Sequence, residues 1–501
     1  MIFYMKYQAR SAFQYYSLFT IHYSFLKDMR NLTLLTDLYQ LTMLNAYYQN
    51  KQDYEVVFDL FFRENSVINY SVFAGLEQAV DYIKNITFTD DDISYLKSLD
   101  LFDAGFLQYL KNFKFTGDIY SVKEGGVVFP DRPIMIVKAP VMEAQFIETA
   151  LLNIINHQTL IASKAARVCY AAKNDAVLEF GLRRAQGPDA GIYGARAAVI
   201  GGCSSTSNVL AAKMFNLKAS GTHSHSFVMS FDSELDAFRN YAGIYPDKCL
   251  LLVDTYDTLK SGIINAVKVF KELEKKGKRG NGIRLDSGDI AYLSKKCREI
   301  LDENGLNYIK ICASGDLDEK AIQALKNQGA KVDFWGVGTK LITSTDLASL
   351  GGVYKLSAVF KNGKEIPKLK ISDNAVKITN PCFKKVMRFY DKNAHKALAD
   401  LIMLKDEKID ESKDLTIYHP VETWKKTVLS NFYAKDTMIK VFDKGKLVYD
   451  LPDVETIKDY CKAEMSTFWD EYLRLDQPQI YKVDLSDKLY DIKKALLSGN
   501  R

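Results

Sequence analysis

Apolar positions recur along this chain with two spacings, one typical of helices and one typical of strands. Residues 32–48 place leucine and methionine every three or four positions and predict a helix. Residues 55–62 are dense in β-branched and aromatic side chains and predict a strand. Helical spacing returns over 73–85 and 91–111, and short runs separated by Gly and Pro predict strands over 117–138. We therefore expect this first region to be α+β.

A helical stretch over 141–172 is followed by a different pattern. As far as residue 360, short apolar runs alternate with helical segments, which is typical of strand–helix units and a parallel sheet. The runs are 177–180, 198–200, 217–219, 250–253, 283–285, 308–311, 332–335 and 354–359, with clear helices over 256–275, 289–304 and 317–328. The predicted fold class is α/β, and eight runs predict that the sheet closes into an irregular (β/α) barrel.

These patterns divide the chain into four predicted regions. Residues 1–28 carry no acidic side chain before Asp28 and have the composition of a transit peptide. We interpret them as a start assigned upstream of the true start at Met29, with a targeting or disordered extension as the alternative. The other regions are an N-terminal α+β domain over 29–140, an irregular α/β barrel with the active site over 141–360, and a C-terminal accessory region over 361–501 that packs on the N-terminal domain.

Composition narrows the class of protein. The 501 residues are 47% hydrophobic and 26% charged, which is ordinary for a globular protein and excludes a disordered chain. The net charge of +5 is mild for this length and gives no reason to expect a nucleic-acid partner. No apolar run reaches the ~18–20 residues of a membrane span. The seven cysteines form no CxxC pair, so we expect reduced thiols in a cytoplasmic protein and no cysteine-based zinc site.

Polar residues cluster where four consecutive apolar runs end. Asp254 follows the first of these runs, Asp286 the second, Asp316 the third, and Gly338 and Thr339 the fourth. In (β/α) barrels the active site lies at the carboxyl ends of the strands, in the loops that lead to the helices. The coincidence of position and chemistry at four strands predicts an active site there.

Two of these clusters suggest a definite chemistry. In the turn over Gly336–Thr339, glycine lets backbone N–H groups approach a phosphate closely, although a tight turn without a ligand is the alternative. Arg284 and Asp286 lie two residues apart on a strand and therefore point to the same side. They are suited to bind an anion beside a hydroxyl or Mg²⁺, with a structural ion pair as the alternative. Asp316 ends a second Ser-Gly-Asp sequence one strand later.

Histidine and arginine residues add to the predicted site. His223 and His225 are two of only six histidines, and they lie together after the run 217–219. A zinc site lacks an evident third ligand, so a nucleophilic or acid–base histidine is better supported. The alternative, a hydrogen-bonded structural histidine, fits one of the two more easily than both, and spacing does not choose between them. Arg183 and Arg184 follow another strand and suit a phosphate or carboxylate, unless they form an ordinary basic surface pair. These residues predict a phosphorylated, hydroxylated, negatively charged substrate and do not identify a reaction.

Six motifs, in this order, resemble those of the nicotinate phosphoribosyltransferases. They are Leu35-Thr-Asp-Leu-Tyr39-Gln-Leu-Thr-Met43, Phe180-Gly-Leu-Arg-Arg-Ala185, Gly221-Thr-His-Ser-His225-Ser226, Ile283-Arg-Leu-Asp-Ser-Gly-Asp289, Gly336-Val-Gly-Thr339 and Leu350-Gly-Gly-Val-Tyr-Lys-Leu356. The resemblance runs from about Asn31 to the C-terminus, and residues 1–28 have no counterpart in it.

The resemblance implies a type II phosphoribosyltransferase, in which an irregular α/β barrel lies beside a mixed domain. It implies that nicotinate and phosphoribosyl pyrophosphate form nicotinate mononucleotide and pyrophosphate, in NAD salvage. It further implies coupling to ATP hydrolysis through a phosphorylated histidine, a requirement for Mg²⁺, and a homodimer with shared active sites, with no nucleic-acid or membrane partner.

The same resemblance assigns roles to individual residues. The phosphorylated histidine is His225. The other assignments are Tyr39, Thr222 and Arg284 at nicotinate, with Tyr39 supplied by the partner subunit; Gly338 and Thr339 at the 5-phosphate; Arg183 at pyrophosphate; and Asp286 and Asp316 at the ribose or at Mg²⁺–pyrophosphate. The protein ligands of the metal are unknown.

Three alternatives remain open at this point. A nicotinamide phosphoribosyltransferase takes a neutral substrate, so a cation facing a carboxylate would matter less. A quinolinate phosphoribosyltransferase is usually shorter and needs more basic residues for its dianionic substrate. A catalytically silent phosphate-binding barrel would lack site residues, whereas Tyr39, Thr222, His225, Arg284 and Thr339 are all present.

Overall fold

The structure is a computed structural model, and it describes residues 30–65, 67–374, 377–422 and 424–499. The predicted extension over 1–28 lies outside the described residues, as does Met29. The described helices are α1 (Leu38–Gln49), α2 (Leu76–Lys84), α3 (Asp90–Ser98), α4 (Ala104–Lys111), α5 (Val141–Phe146), α6 (Glu148–Ala172), α7 (Pro188–Ile200), α8 (Val209–Met214), α9 (His225–Met229), α10 (Glu234–Ile244), α11 (Ile263–Lys275), α12 (Ile290–Glu303), α13 (Glu319–Asn327), α14 (Thr339–Ile342), α15 (Val454–Ser466), α16 (Asp470–Leu473) and α17 (Asp487–Leu497).

The described strands fall into three large sheets and one short two-stranded sheet. They are β1 (Glu55–Phe62), β2 (Ser71–Val72), β3 (Asp118–Val122), β4 (Val127–Val128), β5 (Met135–Pro140), β6 (Ala176–Glu179), β7 (Ser205–Thr206), β8 (Leu250–Leu252), β9 (Gly282–Leu285), β10 (Lys310–Ala313), β11 (Phe334–Val337), β12 (Gly352–Lys361), β13 (Lys364–Pro367), β14 (Lys384–Asp391), β15 (Ala397–Leu404), β16 (Leu415–Tyr418), β17 (Lys426–Leu429), β18 (Phe432–Asp436), β19 (Met438–Asp443), β20 (Lys446–Leu447) and β21 (Lys482–Leu485).

The first sheet is antiparallel and has seven strands in the order β13-β12-β1-β5-β3-β19-β20. The predicted strand over 55–62 is β1, and it is buried on both faces along most of its length. β12 pairs with β1 from Phe360 opposite Glu55 to Gly352 opposite Phe62. The prediction that 354–359 belongs to the barrel was therefore wrong, because this run pairs with a strand almost 300 residues earlier.

The second sheet is parallel and has six strands in the order β7-β6-β11-β10-β9-β8. Five of the predicted runs correspond to β6, β8, β9, β10 and β11, so the predicted α/β architecture is confirmed. The run 198–200 was predicted as a strand and is instead the end of α7. This helix packs very close to α6, since a Cβ atom on Gly201 would lie 2.2 Å from the Ala162 carbonyl oxygen.

The barrel is irregular because one side lacks a full strand. The predicted run 217–219 contributes a single parallel bridge, between Thr206 and Ala219. Between this bridge and β8, the Leu252 N–H donates a hydrogen bond of 3.3 Å to Nε2 of His223. An imidazole thus satisfies a strand N–H at a point where a neighbouring strand would otherwise accept it.

One further difference concerns the N-terminal region. The stretch over 91–111, predicted as one helical region, is two helices, because Asp100 adopts φ +56° and Asp103 accepts the Phe106 N–H to begin α4.

In the C-terminal region, β14–β18 and β21 form a third sheet, while β19 joins the first sheet beside β3. No helix among the described residues is long and apolar enough to cross a bilayer.

A buried carboxylate joins the C-terminal sheet to the N-terminal region. Asp400 accepts hydrogen bonds from Arg132, from Arg388 at 2.7 Å and 3.0 Å, and from the hydroxyl of Tyr481 at 3.1 Å. Burial alone would raise the pKa of Asp400, but Arg388 and Arg132 outweigh it, so the pKa is lowered and the carboxylate is ionised. Arg388 of β14 also donates to the carbonyl of Val127 in β4 at 2.8 Å, which joins the third sheet to the two-stranded sheet.

Asp400→Asn should destabilise the fold strongly, because it replaces the carboxylate that two buried guanidinium groups share with a neutral and weaker acceptor. Removing one partner of a buried ion pair costs about 3–5 kcal/mol. We expect urea unfolding, followed by circular dichroism, to shift to a clearly lower midpoint. The control is Asp443→Asn, which breaks an ion pair with Lys440 at the surface and should leave the midpoint almost unchanged. Equal midpoints for the two variants would contradict this role for Asp400.

Candidate active site at the carboxyl edge of the parallel sheet

Hydrogen bonds connect the ends of three adjacent strands. Asp254, after β8, accepts the backbone N–H of Asp286 at 2.8 Å and the hydroxyl of Ser287 at 2.7 Å. Asp286, after β9, accepts the hydroxyl of Ser314, after β10, at 2.5 Å. The second oxygen of Asp254, Oδ1, is buried and has no hydrogen-bond partner among the described residues. The predicted cluster of polar residues is therefore a connected group at one edge of the sheet.

His225 lies beside this group. It is the first residue of α9, and its Nδ1 forms a hydrogen bond of 3.1 Å with the hydroxyl of Thr255. Its Nε2 lies 3.8 Å from Oδ2 of Asp286, and 38% of its side chain is exposed. The ring is thus accessible and close to a carboxylate.

Arg284 lies on β9, two residues before Asp286. Its Nη1 donates a hydrogen bond of 2.9 Å to the hydroxyl of Thr222. Its Nε is buried and has no partner among the described residues. The alternative of a structural ion pair with Asp286 is not realised, since no ion pair of Arg284 is found in the described part of the chain. The guanidinium therefore retains capacity for an anionic ligand.

His223 has a different environment from His225. Its ring is buried against Phe227, Phe238 and Tyr241. Nδ1 donates to the Ser224 carbonyl at 3.4 Å while Nε2 accepts from Leu252, so both ring nitrogens are engaged in the neutral form. Burial lowers the pKa of His223 to about 4, so the ring is uncharged at neutral pH. This histidine closes the gap in the barrel and is not available to a ligand.

The Gly-rich turn after β11 is pressed against the end of β6. A Cβ atom on Gly338 would lie 3.1 Å from the Phe180 carbonyl oxygen, so the close approach favours glycine. Thr339 begins α14 and is exposed, as is Asp316 in the neighbouring loop. Lys340 donates to Asp318 at 2.8 Å, which joins the loops after β10 and β11.

Arg183 and Tyr39 both lie at the surface. Arg183 is part of a 3₁₀ turn over Leu182–Arg184, directly after β6, and is exposed. Tyr39 is 48% exposed on α1, and partial burial together with Glu148 and Asp37 raises the pKa of its hydroxyl. Tyr39 lies near Asp37 and near Glu148 of α6, and among the described residues no hydrogen bond joins it to Arg284.

The structure gives contacts to residues for which the sequence predicted no individual role in the site. Asp254 and Thr255 contact the predicted site, and their only sequence signal is their position after a strand. Glu179, the last residue of β6, is fully buried and accepts the Thr206 hydroxyl at 2.5 Å. Among the described residues, no three or more His, Cys, Asp or Glu side chains are grouped to hold a metal ion.

Known proteins share both the sequence and the fold. Family models of nicotinate phosphoribosyltransferase match three segments: the N-terminal domain over 34–156, the family region over 176–404 and the C-terminal domain over 383–493. The nicotinate phosphoribosyltransferase of Bacillus subtilis is 49% identical over 477 residues, which cover 94% of this chain and 96% of the relative.

Solved structures agree with these matches. The crystal structure of human nicotinic acid phosphoribosyltransferase superposes with a TM-score of 0.82 at 27% identity, covering 92% of this chain and 99% of the human one. A nicotinate-nucleotide pyrophosphorylase from Pyrococcus furiosus shares the fold, with a TM-score of 0.66 at 22% identity, covering 87% and 96% of the two chains.

The fold and the polar edge of its parallel sheet define a phosphoribosyltransferase of type II. Its six parallel strands lie beside an antiparallel N-terminal sheet, as the resemblance implied. Within that class, the chain belongs to the nicotinate phosphoribosyltransferase family.

Acid should destabilise the folded chain through His223. Its folded pKa of about 4 is below the ordinary value of 6.5, so between these pH values the unfolded chain binds a proton that the folded chain does not. Stability contributed by the neutral ring is complete above pH ~6.5 and is lost as the pH falls towards ~4.

His223→Gln should remove this pH dependence. We expect the loss of unfolding free energy between pH 7 and pH 4 to be smaller than in the native chain by up to about 3 kcal/mol. Urea unfolding at several pH values measures this change in unfolding free energy. The control is His395→Gln, which alters an exposed histidine in the C-terminal region and should keep the native difference. An unchanged slope in His223→Gln would show that this ring is not the acid-sensitive group.

Proposed function

We propose that the chain forms nicotinate mononucleotide and pyrophosphate from nicotinate and phosphoribosyl pyrophosphate, as a step of NAD salvage. The observation that carries the proposal is the buried, unpartnered Nε of Arg284 beside its hydrogen bond to Thr222. A planar guanidinium with free donors binds a carboxylate well. Nicotinate carries a carboxylate and nicotinamide does not, so this arrangement favours the acid over the amide.

His225 is the residue that accepts phosphate from ATP in this proposal. Its ring is accessible and adjoins Asp286, whereas His223 is buried with both nitrogens engaged. Phosphorylation adds a dianionic group at the start of α9, next to the loop that carries Thr222. The new charge would bias this loop towards a state that binds substrate more tightly, which couples ATP hydrolysis to the transfer.

The phosphoribosyl donor would lie along the same edge. Gly338 and Thr339 are suited to the 5-phosphate, because the turn brings backbone N–H groups close to a ligand. Arg183 is suited to pyrophosphate, since it is exposed and forms no ion pair among the described residues. The two subsites lie on neighbouring strands, β11 and β6.

Carboxylates near the ribose would complete the site. Asp286 and Asp316 are suited to the ribose hydroxyls or to Mg²⁺ on the pyrophosphate, because Mg²⁺ prefers oxygen ligands and keeps substrate phosphates in its shell. The unpartnered Oδ1 of Asp254 offers a further oxygen donor. Mg²⁺ held there would supply positive charge to the leaving pyrophosphate. The bond between the ribose and pyrophosphate breaks as the ring nitrogen of nicotinate attacks. The carboxylates stabilise the positive charge that develops on the sugar during this step.

We further propose a cytoplasmic homodimer with shared sites. Tyr39 is half exposed and, among the described residues of one chain, forms no hydrogen bond with Arg284, which supports its entry into the nicotinate site of the partner subunit. All seven cysteines are free thiols, which supports a reducing compartment.

A product assay tests the reaction. The purified full chain receives phosphoribosyl pyrophosphate and Mg²⁺ with either nicotinate or nicotinamide, with and without ATP. We expect nicotinate mononucleotide, formed faster with ATP, and acid-labile label on the protein from γ-labelled ATP. His225→Asn should lose the label and the ATP stimulation while His395→Asn keeps both. Product from nicotinamide alone would assign the chain to the neighbouring activity, and no product from either would support a silent barrel.

Arg284→Ala should weaken the use of nicotinate more than the use of the donor. Loss of a charge-assisted hydrogen bond predicts a KM for nicotinate raised about 10- to 100-fold, with the KM for phosphoribosyl pyrophosphate within about twofold. Steady-state kinetics with each substrate varied in turn measure both constants. The control is Arg279→Ala, because Arg279 stacks on Tyr308 away from the site. An equal rise in both constants would contradict the carboxylate role.

A further inference from the structure

Glu179 is a buried carboxylate without a cation. It ends β6 and is fully buried. Its Oε1 accepts the backbone N–H of Gly181, and its Oε2 accepts the hydroxyl of Thr206 at 2.5 Å. No lysine or arginine forms an ion pair with it in the part of the chain that the structure describes. Desolvation raises the pKa of Glu179, and the two hydrogen bonds offset this only in part.

The peptide that Glu179 holds is the start of the turn that carries Arg183. The Arg184 N–H donates to the Gly181 carbonyl at 2.8 Å and closes this turn. The N–H of Gly181 is bound to Glu179 and its carbonyl to Arg184, so both backbone polar groups of this residue are fixed. A Cβ atom on Gly181 would lie 2.5 Å from Cβ of Ile342, so the turn is pressed against α14.

Phe180, directly before Gly181, packs against the Gly-rich loop. The Phe180 N–H donates to the Val337 carbonyl at 2.8 Å. Cβ atoms on Gly336 and Gly338 would lie 2.7 Å from the Phe180 ring and 3.1 Å from its carbonyl oxygen. The segment that leads into the turn of Arg183 therefore packs tightly against the loop of Gly338 and Thr339. Glu179, directly before this segment, is buried.

We propose that Glu179 is a positioning residue that fixes the turn of Arg183 against the Gly338–Thr339 loop. Through this contact it sets the distance between the subsites for the two phosphate-bearing ends of the phosphoribosyl donor. The inference rests on the proposed function, which assigns those subsites. A carboxylate suits the role because Gly181 and Thr206 both present donors, and a carboxylate accepts on both oxygens, whereas an amide accepts on one.

Variants of both partners test the role. Glu179→Gln keeps an acceptor for one donor only, and Glu179→Leu keeps none. Thr206→Val removes one hydrogen bond, and Thr206→Ser retains its hydroxyl. The matched control is Glu143→Gln, which alters a buried glutamate in α5 that likewise accepts a backbone N–H and a hydroxyl, both from Thr116. Each variant is compared with the native full chain by thermal melting, steady-state kinetics and calorimetric titration with phosphoribosyl pyrophosphate and Mg²⁺.

We expect donor binding to weaken selectively. Leaving a buried N–H without its partner predicts a dissociation constant and KM for phosphoribosyl pyrophosphate raised about tenfold in Glu179→Leu, less in Glu179→Gln and Thr206→Val, with the KM for nicotinate within about twofold. Thr206→Ser and Glu143→Gln should match the native chain.

Other outcomes distinguish a failure of the role of Glu179 from a failure of the proposed function. Unchanged donor binding, or an equal rise in both KM values, in variants that melt like the native chain would overturn the role of Glu179. If Glu179→Leu fails to fold, Glu179→Gln and Thr206→Val decide the question. If the native chain makes no nucleotide, the proposed function fails, and donor titration still reports whether Glu179 orders the two subsites.

Discussion

The register of the parallel strands is the constraint on which the candidate site depends. Leu252 of β8 lies beside Arg284 of β9, and Arg284 lies beside Cys312 of β10. Two residues further along each strand are Asp254, Asp286 and Ser314, which are joined by hydrogen bonds. Because successive side chains of a strand face opposite sides, a slip of one residue would turn each of these groups away from the others.

Burial of both sheet faces maintains this register. Leu250–Leu252 is buried throughout, as expected for a parallel strand covered on both sides. The open side of the barrel is the exception, and there His223 satisfies the N–H of Leu252. A neutral ring can do this inside an apolar cluster, whereas a charged ring would be costly there. The irregularity of the barrel and the neutrality of His223 therefore belong together.

The sequence predicted the parts of the fold that depend on local patterns. The strands β8–β11 and their terminal polar residues were found because apolar runs and strand-end chemistry are both local. Residues 198–200 were assigned wrongly, because a short apolar run cannot distinguish a strand from a buried helix of small residues. The strand over 354–359 was misplaced because its partner, β1, is distant in sequence.

The residue types of the candidate site were predictable from the sequence, but the burial of each side chain was not. Spacing left His223 and His225 equivalent, and only the tertiary structure shows that one is buried and the other accessible. Glu179 was visible next to Phe180, but nothing local indicated that it would be buried without a cation. Burial depends on which elements cover a strand end, and that is decided by packing between distant segments.

Charge at this edge is organised so that the cations stay free. Asp254, Asp286 and Glu179 accept hydrogen bonds from backbone N–H groups and hydroxyls, with Oδ1 of Asp254 left open. Among the described residues, none of these carboxylates forms an ion pair with Arg183 or Arg284. Had the arginines paired with them, an anionic substrate would have to compete with a carboxylate already in place. Neutral donors stabilise the carboxylates without consuming positive charge, so the edge can present both signs to a ligand that carries phosphates, hydroxyls and a carboxylate.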